Sequence, residues 1–290
     1  MIARVKMRCN ILYGERVERE TTGMKSIKGI GLSNVQEVYS GPEGDLWELI
    51  MGEQIHIGGF ASSMDLAERA GIGDGLSGVD LCCCSGAGMR FLVKFRNVRQ
   101  MMGVDATEKV VERGRQRCAE LGLADRIGFT VADVCDSGLP SESVDFVWGE
   151  DAWCYVVDKP KLIAEAARLV KPGGVIAFTD WIEGAQGLTE DEARRYLAFM
   201  KFPNVQDLQG YRDLLAANGC EVTVAVDTGR FAPYVDLYLE MLNKQLTYDA
   251  LRIIGFDMDL MRALGGEMAF MQGLAHAGKI AQAIFVARKI

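Results

Sequence analysis

The stretch "GVDLCCCSGAGMR", residues 78–90, decides the fold class of this chain. Its apolar half predicts a buried strand, Gly86 and Gly88 predict a turn, and "AGMRFLVKF" predicts a helix directly after the turn. A strand that turns tightly into a helix N-terminus is a common binding place for a nucleotide-like cofactor. Three consecutive cysteines, Cys82–Cys84, occupy turn positions where glycine is typical.

Strand-like and helical segments alternate on both sides of this stretch. The further predicted strands are "QMMGVDA", "IGFTVAD", "VDFVWGED", "VIAFTDW", "CEVTVAVD" and "IAQAIFVARK", and a turn is predicted at "KPGG", residues 171–174. This alternation predicts an α/β fold, with a doubly wound, mostly parallel, seven-stranded Rossmann-like sheet that helices cover on both faces. The predicted division is an N-terminal extension (1–34), a core (35–229), a helical insertion or lid (230–278) and the last core strand (279–290).

Composition narrows the function classes. The net charge is −8 and no cluster of Lys and Arg stands out, which argues against a nucleic-acid partner. No apolar run approaches the roughly 20 residues of a membrane helix. Eight cysteines without regular spacing indicate a reducing cytoplasm, and no paired finger spacing predicts a metal site. We therefore expect a cytoplasmic enzyme that acts on a small molecule, and the helical insertion makes a homodimer plausible.

Two further acids lie at predicted strand tips. Asp105 ends the second strand, where a fixed carboxylate can accept hydrogen bonds from two ribose hydroxyls, although it can equally cap the following helix. Asp133 ends the third strand and can face an adenine amino group, or it can be a solvated turn residue. Together with the turn, these acids predict a nucleoside site. A dinucleotide dehydrogenase would need G-x-G-x-x-G, and the turn offers only Gly86-Ala87-Gly88.

The ordered segments "GVDLCCCSGAGMRFLV", "GVDATEKVVERGRQR", "VADV" and the stretch from "VDFVWGED" to "AFTD" resemble the class I S-adenosylmethionine-dependent methyltransferases. "GEQIHIGGF", "GYRDLLAANGCEV" and "AGKIAQAIFVARK" are similar to the small-molecule branch that contains the sarcosine/dimethylglycine N-methyltransferases. The resemblance covers roughly residues 35–290 and implies methyl transfer from S-adenosylmethionine to a small metabolite such as an amine. The cofactor-binding residues that it implies are Asp80, Cys82, Cys84, Gly86, Asp105, Ala106, Asp133, Val134 and Glu150.

The cysteines depart from the pattern of that family. Its loop runs Asp-x-Gly-x-Gly-x-Gly; Asp80 and Gly86 match, whereas Cys82 and Cys84 replace the first two glycines. A Cβ obstructs both a positive φ and close approach to a ligand. Three alternatives follow. The loop is shifted and still binds S-adenosylmethionine; the pocket is remodelled for tetrahydrofolate, as in an enzyme that dehalogenates a C1 halide such as a halomethane; or the protein is a non-catalytic ligand-binding homologue. Cys83 is expected to be packed, and Cys84 is either packed or a nucleophile.

The fourth strand and its loop carry the substrate candidates. Glu150 at the strand tip can hold an amine or act as a base, while Asp151 beside it is expected to cap the next segment. Tyr155 and His56 are the other catalytic candidates, and His56 can equally be structural. The predicted substrate contacts are Trp47, Trp153, Tyr155 and Trp181, although aromatic side chains in the core would show the same pattern.

Overall fold

The computed structural model describes residues 18–19 and 24–290. Most of the predicted N-terminal extension, residues 1–17 and 20–23, therefore lies outside the described residues.

The strands alternate with helices along the described chain. The strands are β1 (Glu18–Arg19), β2 (Lys25–Ser26), β3 (Ser77–Leu81), β4 (Gln100–Asp105), β5 (Ile127–Val131), β6 (Val144–Glu150), β7 (Val170–Glu183), β8 (Asn204–Val205), β9 (Cys220–Asp227) and β10 (Ile280–Lys289). The helices are α1 (Leu32–Ser40), α2 (Pro42–Met51), α3 (Gly59–Ala70), α4 (Ala87–Phe95), α5 (Glu108–Glu120), α6 (Lys159–Leu169), α7 (Glu190–Met200), α8 (Leu208–Ala217), α9 (Phe231–Lys244), α10 (Thr247–Ile253) and α11 (Met258–His276), with a short 3₁₀ turn at Trp153–Tyr155.

Seven strands form the central sheet in the order β5-β4-β3-β6-β7-β10-β9. Neighbours from β5 to β7 pair in parallel, and β10 is antiparallel to both β7 and β9. The prediction of a mostly parallel, seven-stranded α/β sheet is confirmed. The strand order reverses between β3 and β6, and open sheets of this kind bind ligands beyond the carboxyl ends of the strands at such a switch point.

The turn predicted at "KPGG" lies inside β7 as an irregularity. Gly173 has a φ of 76°, and the register with β6 shifts between Val144 and Phe146. A Cβ at Gly174 would lie 2.7 Å from the carbonyl oxygen of Asp145. The glycines thus let the chain stay against β6 while it bends.

Helices cover the sheet, and three apolar clusters lie between the layers. One is built around β6 and β7 with Trp153, Phe178 and Phe285; a second lies beneath α3 and α4. The third lies among α2, α7, α9 and α11. The helices that the sequence predicted as an insertion therefore pack on the N-terminal helices. Among the helices of the described residues, none has the length and apolarity to cross a membrane.

Candidate active site

A cavity of about 260 Å³ opens at the carboxyl ends of β3, β4 and β6 and beside the loop after β5. Residues of α1 and the segment 53–56 line its other side. Of the residues predicted to form the site, the cavity is lined by His56, Asp80, Cys82, Cys84, Asp105, Ala106, Asp133, Val134, Glu150 and Tyr155. The topology therefore brings together side chains from five separate parts of the sequence.

The cysteine turn keeps the backbone path that glycines would give. Cys82, Cys84 and Gly86 have φ values of 64°, 48° and 75°, so every second residue is left-handed. Gly86 is the last residue of the turn. A Cβ at this position would lie 2.7 Å from Cζ of Phe129, so a larger residue would clash. It shapes the turn and is not among the residues that line the cavity. The two cysteines that replace glycine thus adopt a conformation that residues with a Cβ rarely take.

The carboxylate of Asp105 is held by two backbone amides. The N–H of Cys84 donates to Oδ2 at 2.9 Å and the N–H of Thr107 donates to Oδ1 at 2.8 Å. Burial raises the pKa of Asp105, and these two hydrogen bonds oppose the shift. Each carboxylate oxygen has a further lone pair, so a fixed Asp105 can accept two more hydrogen bonds. Capping of α5 and ligand binding are therefore compatible roles.

Asp80 and Glu150 converge on the first turn of α4. A Cβ on Gly88 would lie 2.5 Å from Oε2 of Glu150 and 3.5 Å from Oδ2 of Asp80, so only glycine fits between them. Burial, followed by the charges of Glu150 and Asp105, raises the pKa of Asp80 well above its ordinary value. A helix N-terminus stabilises such carboxylates, and a cationic ligand group would stabilise them further.

Asp133 lies at the exposed rim of the cavity. Its Oδ1 accepts a hydrogen bond from the N–H of Cys135 at 2.9 Å, and Val134 between them is buried. On the neighbouring strand tip, the carbonyl oxygen of Ala106 accepts from Nε2 of Gln36 at 2.7 Å. The rim is thus tied to α1.

The thiols of the turn stay protonated. Burial and the charge of Asp105 raise the pKa of Cys84 to about 12, and they also raise the pKa of Cys83 well above its ordinary value. A nucleophilic cysteine needs the opposite shift. Cys83 is buried against Gly103, where a Cβ would lie 2.6 Å from its Sγ. The environment of Cys84 therefore argues against the nucleophile alternative.

A polar cluster lies at the Glu150 end of the cavity. The hydroxyl of Ser63 is 2.5 Å from Oε1 of Glu150 and 3.2 Å from Nε2 of His56. His56 Nε2 also lies 3.3 Å from Glu150 Oε1, and Nε2 of Gln54 donates to Ser63 at 3.0 Å. His56 and Ser63 are buried. Two of the predicted catalytic candidates are therefore in contact with one another.

Comparison with known proteins fits this geometry. Residues 79–178 match the sequence family described as "Methyltransferase domain". The chain is 28% identical to the sterol 24-C-methyltransferase of Eremothecium gossypii over 199 residues, which cover 63% of this chain and 53% of that one. This chain therefore spans about half the length of that relative.

Solved structures share the fold. A Galdieria sulphuraria protein assigned as a sarcosine dimethylglycine methyltransferase has a TM-score of 0.75 at 21% identity, over 86% of this chain and 98% of that chain. A second structure is Haemonchus contortus phosphoethanolamine N-methyltransferase 2 in complex with phosphomonomethylethanolamine and S-adenosylhomocysteine. It has a TM-score of 0.78 at 19% identity, over 88% of this chain and 58% of that chain. Residues 79–178 therefore match a methyltransferase domain, and the chain shares the fold of these solved methyltransferases.

The three tryptophans predicted as substrate contacts lie in the core of the fold. Trp153 is fully buried, stacks on Phe178 with 4.1 Å between ring centroids, and donates from Nε1 to the carbonyl oxygen of Leu81. Trp181 and Trp47 belong to the apolar cluster beneath the helices, and Trp47 borders a separate small apolar cavity. None of the three lines the cavity, because packing turns the rings into the core.

Tyr155 is the one predicted aromatic contact that lines the cavity of the methyltransferase domain. The hydroxyl of Tyr39 donates to its hydroxyl at 3.0 Å, and the two rings meet edge to face. Burial, and then Tyr39, raises the pKa of Tyr155 well above its ordinary value. A phenol with this shift is a hydrogen-bonding group rather than a base at neutral pH, which argues against the catalytic role predicted for Tyr155.

Asp151 does not cap the next segment, as the sequence predicted, because its carboxylate contacts distant segments instead. Its Oδ2 accepts from the N–H of Ile57 and from Nε2 of Gln282, both at 2.8 Å. The contacts tie the segment that carries His56 to β10. Asp151 has a φ of 50°, which turns the chain directly after Glu150.

Sequence reasoning missed the side chains that support the site from α1 to α3. Ser63 and Gln54 belong to no recognised motif, and the only available signal was the proximity of Gln54 to His56 in "GEQIHIGGF". Helix α2 is held to α5 by Arg113, which contacts Asp45 and Glu48 at 3.1 Å each, and by Arg117, which also contacts Glu48. Helix α1 lines the cavity, and α2 packs beside it.

Proposed function

We propose that this protein transfers the methyl group of S-adenosylmethionine to a small-molecule acceptor. The observation that carries the proposal is that Asp80, Asp105 and Asp133, which follow three successive parallel strands, line one cavity beside a left-handed turn. This is the arrangement a nucleoside with a charged tail requires at a switch point. The match of residues 79–178 to a methyltransferase family supports it.

The residues present fit the cofactor. Asp105 would accept hydrogen bonds from the two ribose hydroxyls, and Asp133 would face the adenine amino group. Asp80, Glu150 and the turn would hold the amino-acid end, where Cys84 narrows the cavity.

The charge of the lining complements a cation. Its acidic residues are Glu53, Asp80, Asp105, Asp133, Glu150, Asp151 and Asp158, and its basic residues are His56 and Lys161. S-adenosylmethionine supplies a methyl group on a positively charged sulfur. Opposite charges attract more strongly in a buried site than in water, so this lining favours a sulfonium and disfavours an anionic acceptor.

Methyl transfer asks little covalent chemistry of the protein. The acceptor atom must lie in line with the methyl group, water must be excluded, and in some cases a proton must be removed. Helix α1 and the segment 53–56 would exclude water, and His56 and Glu150 are the groups placed to take a proton. A small metabolite, such as an amine, fits the size and charge of the cavity.

Calorimetric titration of S-adenosylmethionine and S-adenosylhomocysteine tests the proposal. We expect both to bind, and we expect Asp105→Asn to weaken binding by at least tenfold because each hydrogen bond to a charged group contributes about 1.5–3 kcal/mol. Asp136→Asn is the matched control, since Asp136 is exposed and outside the cavity lining. Unfolding curves of both variants would show whether the turn survives the loss of the Asp105 contacts.

The folate alternative rests on the glycine-poor turn alone, and the comparisons give it no support. Tetrahydrofolate belongs in the same titration. Binding of folate without binding of S-adenosylmethionine would overturn the proposal. Release of S-adenosylhomocysteine from pools of small amines would separate an enzyme from a non-catalytic homologue. We further propose a cytoplasmic location and a homodimer, which cell fractionation and light scattering would test.

A further inference from the structure

The hydroxyl of Ser63 lies between the two groups that can carry a proton at the cavity. It is 2.5 Å from Oε1 of Glu150 and 3.2 Å from Nε2 of His56. Both partners line the cavity, whereas Ser63 is fully buried behind them on α3. Ser63 can therefore connect His56 and Glu150 without touching a ligand.

The number of hydrogen bonds that one hydroxyl can make limits the role of Ser63. A hydroxyl has one proton and two acceptor lone pairs. The amide of Gln54 donates from Nε2 at 3.0 Å and occupies one lone pair. One proton and one lone pair remain for two partners. A hydroxyl that bonds to both therefore donates to one of His56 and Glu150 and accepts from the other, beside the direct contact of 3.3 Å between His56 Nε2 and Glu150 Oε1.

Two proton arrangements satisfy this requirement. In the first, Nε2–H of His56 donates to Ser63, and Ser63 donates to the ionised Glu150. In the second, protonated Glu150 donates to Ser63, and Ser63 donates to the bare Nε2. Nδ1 of His56 lies 3.4 Å from the carbonyl oxygen of Ile57, which can only accept, so Nδ1 carries a proton in both arrangements. The two differ by one proton moved along the bridge.

We propose that His56 and Glu150 share a single proton through the hydroxyl of Ser63 and act as one base. In this arrangement Ser63 is a positioning residue. The structure of the cluster is independent of any ligand, but its catalytic use rests on the proposed function.

In the methyl transfer, one bond forms as another breaks. The acceptor atom forms a bond to the methyl carbon while the carbon–sulfur bond breaks, and that electron pair stays on sulfur. The acceptor releases a proton, which moves to His56 and Glu150. These two groups can accept it once they no longer hold the shared proton. The product state is then the one-proton cluster.

The surrounding charges favour retention of this proton. Asp151 faces His56 and Asp80 faces Glu150, and both are buried carboxyls. From α9, the hydroxyl of Tyr238 reaches the backbone oxygen of His56 at 3.5 Å, and from β10 Gln282 contacts Asp151. These charged neighbours of the cluster are acidic, so the cluster attracts a cation such as the sulfonium.

Ring nitrogen NMR of the ligand-free protein tests the sharing. The chain has two histidines, so His276→Gln leaves His56 as the single imidazole signal. We expect Nδ1 to remain protonated across the titration and the neutral ring to be the Nδ1–H tautomer. A neutral Nε2–H tautomer would overturn the proposal, and this readout needs no change at Ser63.

Ser63→Ala and Ser62→Ala form a matched pair. Both serines are fully buried on α3, but Ser62 contacts Gln282 at 3.5 Å and neither His56 nor Glu150. Ser63→Ala should change the tautomer of the neutral His56 ring in the same NMR measurement, because Nε2 loses the hydroxyl that it contacts. Ser62→Ala should leave the tautomer unchanged. Equal behaviour of the two variants would refute the bridge, whatever the calorimetry shows about S-adenosylmethionine.

Discussion

Cys82 and Cys84 keep a left-handed backbone although each carries a Cβ. That conformation costs a residue other than glycine roughly 1–2 kcal/mol. Both side chains line the cavity, and the N–H of Cys84 fixes Asp105. Strained residues of this kind persist where the surrounding structure holds them, and they cluster at ligand sites.

Cys84→Gly should leave the protein as stable as the wild type or more stable by up to about 1 kcal/mol, because relief of the left-handed strain exceeds the added freedom of the unfolded chain. Under the proposed function, the affinity of this variant for S-adenosylmethionine should rise, since the thiol narrows the part of the cavity that would hold the amino-acid end of the cofactor. Urea unfolding and calorimetry measure the two effects.

Cys83→Gly is the control within the same turn. Cys83 is not left-handed and its side chain is buried, so this change should lose stability by about 1 kcal/mol or more. If Cys84→Gly lost as much stability as Cys83→Gly, the strain argument would not hold.

Individual residues were predictable where their place follows from the backbone. Asp105 ends a strand, so its carboxylate had to lie at the sheet edge. The ring of Trp153 depends instead on the 3₁₀ turn and on the carbonyl of Leu81, which is 72 residues earlier in the chain. No local pattern reports such a contact.

At the scale of elements, Asp180 links three segments behind the cavity. The Oδ1 of this β7 residue accepts from the N–H of Cys154 in the 3₁₀ turn at 2.9 Å, and its Oδ2 accepts from the hydroxyl of Tyr211 on α8 at 2.5 Å. Burial raises the pKa of Asp180 to about 6, and the nearby charge of Lys159 opposes this shift. The three segments therefore meet at a group that titrates near neutral pH.

This junction should make stability depend on pH. Because the pKa of Asp180 is raised in the folded state, its contribution is fully present below the ordinary value of 3.8 and is lost as the pH rises through about 6. Asp180→Asn should therefore flatten the fall in unfolding free energy between pH 4.5 and pH 7, as measured by urea unfolding.

Asp145→Asn is the comparison. Asp145 is paired with Lys171, and contacts with Lys171 and Ser77 lower its pKa, so its contribution has the opposite sign. An unchanged slope in Asp180→Asn would contradict the assignment.

The elements of the sheet were predictable because alternation of apolar strands and helices is a local signal. The packing of α1 and α2 was not. Helices α1 and α2 occupy the region where the sequence predicted an extension and the start of the core, and Arg113 and Arg117 reach α2 from α5. Such ion pairs join distant segments and leave no periodic trace.

At the scale of the whole molecule, the last strand in sequence lies inside the sheet. β10 pairs with β7 on one side and β9 on the other, and its Ile284 and Phe285 are fully buried. The sheet is incomplete until this strand is in place.

Deletion of residues 279–290 should therefore abolish cooperative unfolding, since it leaves two strand edges unpaired and opens the core. Near-ultraviolet circular dichroism and urea unfolding measure the loss. Deletion of Ile290 alone, a residue 87% exposed, should have little effect. A shortened chain that unfolds with the wild-type midpoint would show that β10 is dispensable.

The sequence by itself determined the parallel α/β sheet and the line of acids Asp80, Asp105 and Asp133, because strand periodicity and strand ends are local properties. Only the tertiary structure decided that the cysteine turn follows a glycine path, that the tryptophans face the core, and that Ser63 meets Glu150 across 87 residues of sequence. Side-chain direction and long-range contact depend on how the layers pack, and packing is a property of the whole fold.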